Sequence, residues 1–183
     1  APGGAYEAAV KAKEAGKIRH IGVSSHNLQM AVKLVKSGLF ETIQFPFNFI
    51  ETEPVDELFP AAQSLDVGII AMKPFGGGVI DNGALCFKYL RQFPQVIPIP
   101  GCDSVASVDS VLSFYEQPNE ITADDLALME CLDAETRELR YVLCAVGRDG
   151  EDYVFTPFGH LAPGNPFDAY LPPADGGGFA ETE

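Results

Sequence analysis

Short apolar runs alternate with helical apolar stripes along this chain, and this alternation constrains the fold more than any other feature. The runs are KIRHIGVSSHN at residues 17–27, TIQFPF at 42–47, VGIIAM at 67–72 and QVIPIP at 95–100. Each closes on polar, Gly or Pro residues, as buried strands do. The repeat of roughly 25 residues is the length that parallel strands joined by crossover helices need. The pattern predicts four βα units of an α/β fold.

The segments between the runs carry apolar residues at spacings of three and four, which predicts helices with one buried face. The three stripes are Leu28, Ala31, Val32 and Val35; Val55, Leu58, Phe59 and Ala62; and Val105, Val108, Val111, Leu112 and Tyr115. An alanine-rich helix closed by Gly16 is predicted before the first strand.

Charge and cysteine usage restrict the partners. Twelve basic and 26 acidic residues give a net charge of -14, which repels phosphate backbones and anionic membranes. No apolar stretch approaches the roughly 20 residues that span a bilayer. We therefore expect no nucleic acid and no membrane as partner. The four cysteines are scattered without a CxxC pair, which predicts reduced thiols and a cytoplasmic protein.

The end of the chain has a different composition. A capping box of Thr122 with Asp125, followed by Leu126, Met129 and Leu132, predicts a helix that ends near Arg140. Beyond it the periodicity disappears among Gly, Pro, Asp and isolated aromatics. We predict one domain over residues 1–140 and an extended or partly disordered tail over 141–183. Alternatively, the aromatics of the tail cover an apolar face or a sheet edge.

In parallel α/β folds, ligands bind beyond the carboxyl ends of the strands. Ser24 and Ser25 follow the first strand and could orient a carboxamide or a hydroxylated ligand; alternatively, Ser25 or Asn27 only caps the next helix. Gln44 lies in an apolar strand, where an unpaired amide costs about 1 to 3 kcal/mol. Its amide therefore meets either a ligand or a neighbouring strand. Asn48 and Glu51 are weaker candidates, with simple solvation as the alternative.

Glycines and a lysine follow the third strand. Gly76, Gly77 and Gly78 suit a pyrophosphate held by backbone N–H groups, although a flexible loop would need the same residues. Lys73 can pair with phosphate, act as a Schiff-base nucleophile if it is buried, or simply be exposed.

A polar stretch follows the fourth strand, where a helix N-terminus could bind an anion. Its residues are Gly101, Cys102, Asp103 and Ser104. Because residues 100–115 contain no Lys or Arg, a plain ribose suits this segment better than a 2′-phosphate. Ordinary capping by Ser104 is the alternative. Three separated histidines predict no metal site, and His20 is expected to pack inside the first strand.

The motifs GKIRHIGVSSHN, IQFPFNFIE, IIAMKPFGGG and VIPIPG, in this order, resemble the carboxyl-terminal half of the aldo-keto reductase family over about residues 5–139. The bacterial branch that often carries an iron-sulfur tail is the most similar, although the clustered cysteines are missing. The resemblance implies a partial (β/α)8 TIM barrel, its second half, with an irregular C-terminal tail. It also implies an oxidoreductase that reduces a small carbonyl substrate with NADP or NAD.

The resemblance implies a set of cofactor contacts. Ser24, Ser25 and Gln44 correspond to the residues that meet the nicotinamide carboxamide, and Met72 takes the place of a stacking aromatic. Lys73, Phe75, Gly76, Gly77 and Gly78 correspond to the pyrophosphate loop. The adenosine phosphate segment corresponds to Gly101, Cys102, Asp103, Ser104 and Ser107. Ser107 stands where a phosphate-binding Arg is frequent, which implies a weakened site.

The family's Asp, Tyr, Lys and His tetrad belongs to the first half of the barrel, so no catalytic residue is transferred to this sequence. We therefore expect a fragment that keeps the cofactor-binding half and is inactive as an isolated chain. An open four-stranded sheet exposes two edges and one face. The alternative is thus a noncatalytic half-barrel that forms a homo-oligomer or pairs with a partner through its open face. A lyase using Lys73 is a third, more distant reading.

Overall fold

Four parallel strands form the first sheet, in the order β1-β2-β3-β4. They are β1 Gly22–Ser24, β2 Thr42–Pro46, β3 Gly68–Met72 and β4 Val96–Pro98, and each lies in one of the four predicted runs. The computed structural model describes residues 4–80, 82–122, 125–133, 136–149, 152–157 and 170–171. The prediction of an α/β fold with part of a parallel barrel is confirmed.

Five helices are described: α1 Ala5–Glu14, α2 Leu28–Lys36, α3 Leu58–Ser64, α4 Gly83–Leu90 and α5 Val105–Glu116. A 3-10 turn, Glu53–Val55, precedes α3. Gly16 ends α1 with φ +69° and donates its N–H to the Lys13 carbonyl at 2.9 Å, so the predicted cap is confirmed. The sequence analysis missed α4, whose first turn is capped by Asn82 Oδ1 accepting from Leu85 N at 3.0 Å.

One face of the first sheet carries a buried apolar row. The row formed by Val23, Ile43, Ile69 and Val96 runs across all four strands, and its central members Ile43 and Ile69 are 0% and 3% exposed. Buried residues of α2 and α3, such as Val32 and Leu58, follow the predicted stripes. The next row is Ser24, Gln44, Ile70 and Ile97. Ile97 is 65% exposed, whereas Gln44 and Ile70 are half-buried, so the second face is exposed at β4.

The apolar stripe of α5 forms the predicted helix but is not buried. Val105 and Leu112 are 78% and 56% exposed, and Val108 and Tyr115 are exposed as well. No residue of α5 is buried. An exposed apolar stripe of this kind is unusual for a helix on a folded domain, because such stripes normally face a core.

A second, antiparallel sheet follows with the order β7-β6-β5-β8. Its strands are β5 Leu126–Asp133, β6 Leu139–Asp149, β7 Asp152–Pro157 and β8 Tyr170–Leu171. The predicted helix after Thr122 is therefore wrong. Thr122 N does donate to Asp125 Oδ2 at 2.8 Å, as in a capping box, but the chain then pairs with β6 from Leu126 to Leu132. Long-range strand pairing overrides the local helical spacing.

The predicted tail begins inside this second sheet, because β6 runs across residue 140. The boundary between domains stays a prediction. Of the tail aromatics, Phe155 packs beside the buried Cys144, in agreement with the alternative in which they cover apolar surface. Phe158 and Phe167 lie outside the described residues.

The chain forms two compact units. The first unit comprises the described residues up to Phe47, together with Glu53–Met72 and Pro94–Ile99; the second comprises Asn48–Thr52, Lys73–Phe93 and the described residues from Pro100 onward. In the first unit, the rings of Phe47 and Phe59 meet edge to face with centroids 4.8 Å apart. The core of the second unit includes Phe49, Ile50, Ile80, Leu85, Cys86 and Ala145.

Ala145 lies on β6, so the antiparallel sheet shares this core with the loops that follow β2 and β3. No helix among the described residues is long and apolar enough to cross a membrane.

Candidate functional site

Three of the predicted site residues come together at the carboxyl ends of β1, β2 and β3 in the first unit. Ser24 and Gln44 are direct neighbours across the β1–β2 pair. The Gln44 amide donates from Nε2 to Met72 Sδ at 3.5 Å. A thioether is a weak acceptor, so this contact orients the half-buried amide without satisfying it as a carbonyl would. Both alternatives for Gln44 thus remain. Its amide contacts Met72 on the neighbouring strand, and it is still suited to a ligand with a stronger hydrogen-bond acceptor.

Ser25 is engaged locally. Its hydroxyl donates to the Asn27 carbonyl at 3.0 Å and accepts from Asn27 N at 3.1 Å. Asn27 caps α2, since its Oδ1 accepts from Met30 N at 2.9 Å. These bonds match the capping alternative. Ser24 is exposed and extends to the same sheet face as Gln44, which makes it the better candidate of the two serines.

The glycine loop of the second unit is held by its own hydrogen bonds. Gly76 N donates to the Lys73 carbonyl at 2.9 Å and Gly78 N donates to the Phe75 carbonyl at 2.8 Å. The three glycines have φ values of +57°, +74° and +97°, which residues with a Cβ rarely adopt. Two of the N–H groups predicted to meet a pyrophosphate are therefore engaged inside the loop in this conformation.

Two side chains flank these glycines. Lys73 is exposed and has φ +53°, in the left-handed region that is costly for a residue with a side chain. A Schiff-base lysine needs burial to lower its pKa, and Lys73 is not buried. Its exposed ammonium is instead available to an anion. Phe75 is half-buried, and its ring lies 5.9 Å from that of Phe87, which anchors the loop to α4.

The segment before α5 forms a capping box in the second unit. Ser104 Oγ accepts from Ser107 N at 3.1 Å, and Ser107 Oγ accepts from Ser104 N at 3.0 Å. Ser107 Oγ also donates to the Ser104 carbonyl at 2.7 Å. These contacts match ordinary capping, the alternative given above. Gly101 and Cys102 are exposed, and a Cβ at Gly101 would meet no atom within 4 Å.

The predicted residues of the two units differ in polarity and charge. The amide of Gln44 and the apolar Met72 suit a nicotinamide ring with its carboxamide. Before α5, by contrast, Asp103 N donates to Ser107 Oγ at 3.2 Å and the Asp103 carboxylate lies 3.3 Å from the same hydroxyl. A carboxylate at this helix N-terminus competes with a phosphate for the same dipole. Within the described ranges, no group of three His, Cys, Asp or Glu side chains could hold a metal ion.

Asn48, one of the weaker candidates, is a buried residue. The solvated alternative is wrong for it, because its side chain is 1% exposed. Its Nδ2 donates to Glu51 Oε2 at 2.8 Å and to the Lys73 carbonyl at 3.1 Å. The signal for its burial was present in the sequence: it is the one polar residue in the run FPFNFI. A buried amide in such a run must find partners.

His20 does not pack inside the first strand as predicted. It is exposed and precedes β1, with Nδ1 2.6 Å from Glu41 Oε2. Lys13 Nζ donates to Glu41 Oε1 at 2.5 Å, and Ile21 N donates to the same oxygen at 3.2 Å. The hydrogen bonds from Lys13, His20 and Ile21, in this order of size, lower the pKa of Glu41 to about 2. This cluster lies at the opposite end of the strands from Ser24 and Gln44.

Comparison with known proteins yields two family matches in separate parts of the chain. Residues 5–84 match the aldo/keto reductase family. Residues 117–183 match a family of unknown function (DUF6117). The aldo/keto reductase match ends at residue 84, whereas the resemblance seen in the sequence extends to about residue 139. The antiparallel sheet thus falls in the second match.

Solved structures support the fold. The chain is similar to the aldo-keto reductase AKR11C1 from Bacillus halodurans in its holo form, with a TM-score of 0.56 and 19% identity over 65% of this chain and 51% of that one. The apo form of the same protein gives the same TM-score and identity over 65% and 52%. This chain therefore spans about half the length of the solved structures that it matches. None of the curated proteins matches it. The four-stranded parallel sheet therefore agrees with the match of residues 5–84 to the aldo/keto reductase family.

Proposed function

We propose that this chain binds a nicotinamide dinucleotide at the carboxyl ends of β1, β2 and β3, and that the 183-residue chain alone does not reduce carbonyls. The observation that carries the proposal is the row of Ser24 and Gln44 beside Met72, in a segment of the aldo/keto reductase family. Gln44 would exchange its weak bond to the Met72 sulfur for bonds to a carboxamide. Stronger acceptors make that exchange favourable.

Each residue has a separate role in this proposal. The Gln44 amide orients the carboxamide, the Ser24 hydroxyl adds a second polar contact, and Met72 gives the ring an apolar surface. A bound nicotinamide supplies hydride chemistry to a carbonyl. Such a reduction also needs a proton. In the family that this sequence resembles, the catalytic tetrad donates it, and no residue of this sequence was matched to that tetrad. Binding without turnover is therefore the expected behaviour of the chain by itself.

The choice between NAD and NADP follows from charge. Asp103 precedes the helix after β4, and residues 100–115 contain no Lys or Arg. A 2′-phosphate that reaches the start of this helix would meet the Asp103 carboxylate and no cation within the segment. We expect NADH to bind at least as tightly as NADPH, and both to bind more weakly than they do at a site with a phosphate-binding Arg.

Titration of the purified chain with NADH and NADPH, followed by nicotinamide fluorescence, tests this proposal. The informative variant is Gln44→Leu, which keeps the side-chain volume and removes the amide; we expect its Kd to rise about tenfold, the loss of one buried hydrogen bond. Gln63→Leu is the matched control, because Gln63 is exposed on α3, and its Kd should equal that of the parent chain. Equal affinities for all three proteins would exclude this site.

A carbonyl reduction assay tests the second half of the proposal. The chain is mixed with NADPH or NADH and a panel of small aldehydes and ketones, and cofactor oxidation is followed. We expect no turnover above the uncatalysed reaction. Turnover at ordinary enzyme rates, on the order of 1 per second or faster, would show that residues outside the resemblance supply the acid.

A second candidate is a half-barrel that self-associates through its open face, without a catalytic role. The exposed Ile97 and Ile99 on and after β4, which are 65% and 42% exposed, favour it because apolar strand surface next to a free edge promotes association. Sedimentation of Ile97→Lys against Leu65→Lys tests this candidate. Leu65 is equally apolar and 50% exposed at the end of α3. Loss of a dimer in the first variant alone would support it, and a monomeric parent chain would exclude it.

A further inference from the structure

Asn48 uses the full hydrogen-bonding capacity of its side chain within the second unit. Oδ1 accepts from Ile50 N at 2.8 Å and from Glu51 N at 2.9 Å. Nδ2 donates to the Glu51 carboxylate and to the Lys73 carbonyl. An amide has two acceptor and two donor positions, so all four are engaged. With 1% exposure, this side chain is fixed in one orientation.

The bond to Lys73 connects two loops that are distant in sequence. The Lys73 carbonyl accepts from Asn48 Nδ2 at 3.1 Å and from Gly76 N at 2.9 Å. It therefore receives one bond from the loop after β2 and one from the first turn of the glycine loop. Lys73 has φ +53°, which a lysine adopts only when its surroundings impose it. The Asn48 amide is the side chain that holds this strained residue from outside its own loop.

We propose that Asn48 is a positioning residue for the glycine loop: through the Lys73 carbonyl it holds Lys73 and the residues up to Gly78 in one backbone arrangement. This inference rests on the proposed function and adds to it that the exposed Lys73 ammonium meets a phosphate of the dinucleotide. Asn48 does not touch the ligand. It keeps the exposed Lys73 ammonium and the glycine backbone in one arrangement before the ligand arrives, which lowers the entropy cost of binding.

Glu51 completes this arrangement. Its carboxylate accepts from one Asn48 N–H, while its own backbone N–H donates to Asn48 Oδ1. The carboxylate therefore fixes which end of the amide faces Lys73. An aspartate at position 48 would instead point an oxygen at both the Glu51 carboxylate and the Lys73 carbonyl. Asn48→Asp, a change of nearly the same shape, thus removes the clamp and adds repulsion.

Amide hydrogen exchange measured by NMR on the full chain tests the inference directly. Gly76 and Gly78 N–H groups donate inside the loop, so their exchange rates report whether the loop stays closed. We expect Asn48→Asp to raise both rates about tenfold or more, and Glu51→Gln, which removes only the charge, to raise them less. Asp125→Asn is the control, because it weakens the same unit at its contact with Lys88; there the two loop amides should stay as in the parent chain.

The same proteins are then titrated with NADH. If the parent chain binds NADH, the Kd of Asn48→Asp should rise about tenfold while that of Asp125→Asn changes less than twofold. Unchanged Gly76 and Gly78 exchange in Asn48→Asp and Glu51→Gln, or an equal rise in Asp125→Asn, would overturn the positioning role. Faster exchange with an unchanged NADH Kd would overturn its role in binding. A parent chain that binds no dinucleotide refutes the proposed function, while the exchange result still decides whether Asn48 orders the loop. If Asn48→Asp does not fold, Glu51→Gln alone carries the comparison.

Discussion

The ion pair between Lys88 on α4 and Asp125 before β5 should be the strongest polar contribution to the second unit. Lys88 Nζ lies 2.8 Å from both carboxylate oxygens of Asp125. The two side chains are only 16% and 17% exposed. Asp125 Oδ2 also accepts from Thr122 N at 2.8 Å and from Thr122 Oγ1 at 3.0 Å. The pair thus connects α4 to the start of β5, the strand that the sequence had predicted to be a helix.

The cost of breaking the pair follows from these contacts. A hydrogen bond to a charged group contributes about 1.5 to 3 kcal/mol, and removing one partner of a buried pair costs about 3 to 5 kcal/mol. One sixth of each side chain remains in solvent, which screens the pair in part. We therefore expect Asp125→Asn to lower the free energy of unfolding by about 2 kcal/mol. Lys88→Met should cost less, because Asp125 keeps its bonds to Thr122.

A double-mutant cycle measures the interaction itself. Urea unfolding of the parent chain, Asp125→Asn, Lys88→Met and the double variant, followed by circular dichroism, should give a coupling energy of about 1 to 2 kcal/mol. If the losses in free energy of unfolding of the two single variants add up to that of the double variant within about 0.3 kcal/mol, the two sites are independent, and the predicted coupling between Lys88 and Asp125 would be refuted.

The pH dependence of the cycle gives a second check. Burial raises the pKa of Asp125, but the hydrogen bonds from Lys88 and Thr122 outweigh it and hold the pKa below its usual value. The stabilisation is therefore fully present above about pH 4, the ordinary range of an aspartate, and is lost as the pH falls through the lowered pKa. The parent chain and Asp125→Asn should converge in stability under strongly acidic conditions.

Three further predictions concern other parts of the chain. The pKa of Glu41 is lowered to about 2 from 4.5, so the stabilisation that its contacts provide is present above about pH 4.5 and is lost towards pH 2. In thermal melts across this pH range, the melting temperature of Glu41→Gln should therefore depend less on pH than that of the parent chain. Identical pH profiles of the melting temperature would contradict the contacts of Glu41. Phe87 is 0% exposed, and its ring centroid lies 5.0 Å from that of Tyr115. Phe87→Ala should therefore lower the free energy of unfolding by about 3 to 5 kcal/mol. A loss below about 1 kcal/mol in urea unfolding would mean that this core is not packed as described. Gly77→Ala should cost about 1 to 2 kcal/mol through its φ of +74° alone, since a Cβ there meets nothing within 4 Å, and a neutral effect in the same assay would show that the loop does not hold this conformation.

Local pattern predicted the parallel part of the fold well. The four strand runs and the stripes of α2 and α3 were identified because each buries one repeating set of apolar positions, and period and length distinguish strand from helix. The stripe of α5 predicted a helix but not its exposure. Whether a stripe meets a core depends on what packs against it, which its own residues do not encode.

The candidate site shows the same division. Gln44 was singled out because an amide in an apolar strand is costly, and the structure places it beside Met72. Ser25 and Ser104 fit their capping alternatives because side-chain bonds to nearby N–H groups are local events. The Lys73 partner of Asn48 was not predicted, because it is 25 residues away in the sequence. The run FPFNFI indicates a buried amide, but it does not identify the partner.

By itself the sequence determined the order of the parallel strands, the type of helix between them and the residues at the strand ends, because side-chain periodicity and capping act over a few residues. Tertiary structure decided three other properties: the strand identity of Leu126–Asp133, the exposure of Ile97 on the second face of the parallel sheet, and the clamp between Asn48 and Lys73. Each of these depends on contacts between different segments of the chain. The free energy of such contacts outweighs local propensities of a few tenths of a kcal/mol per residue.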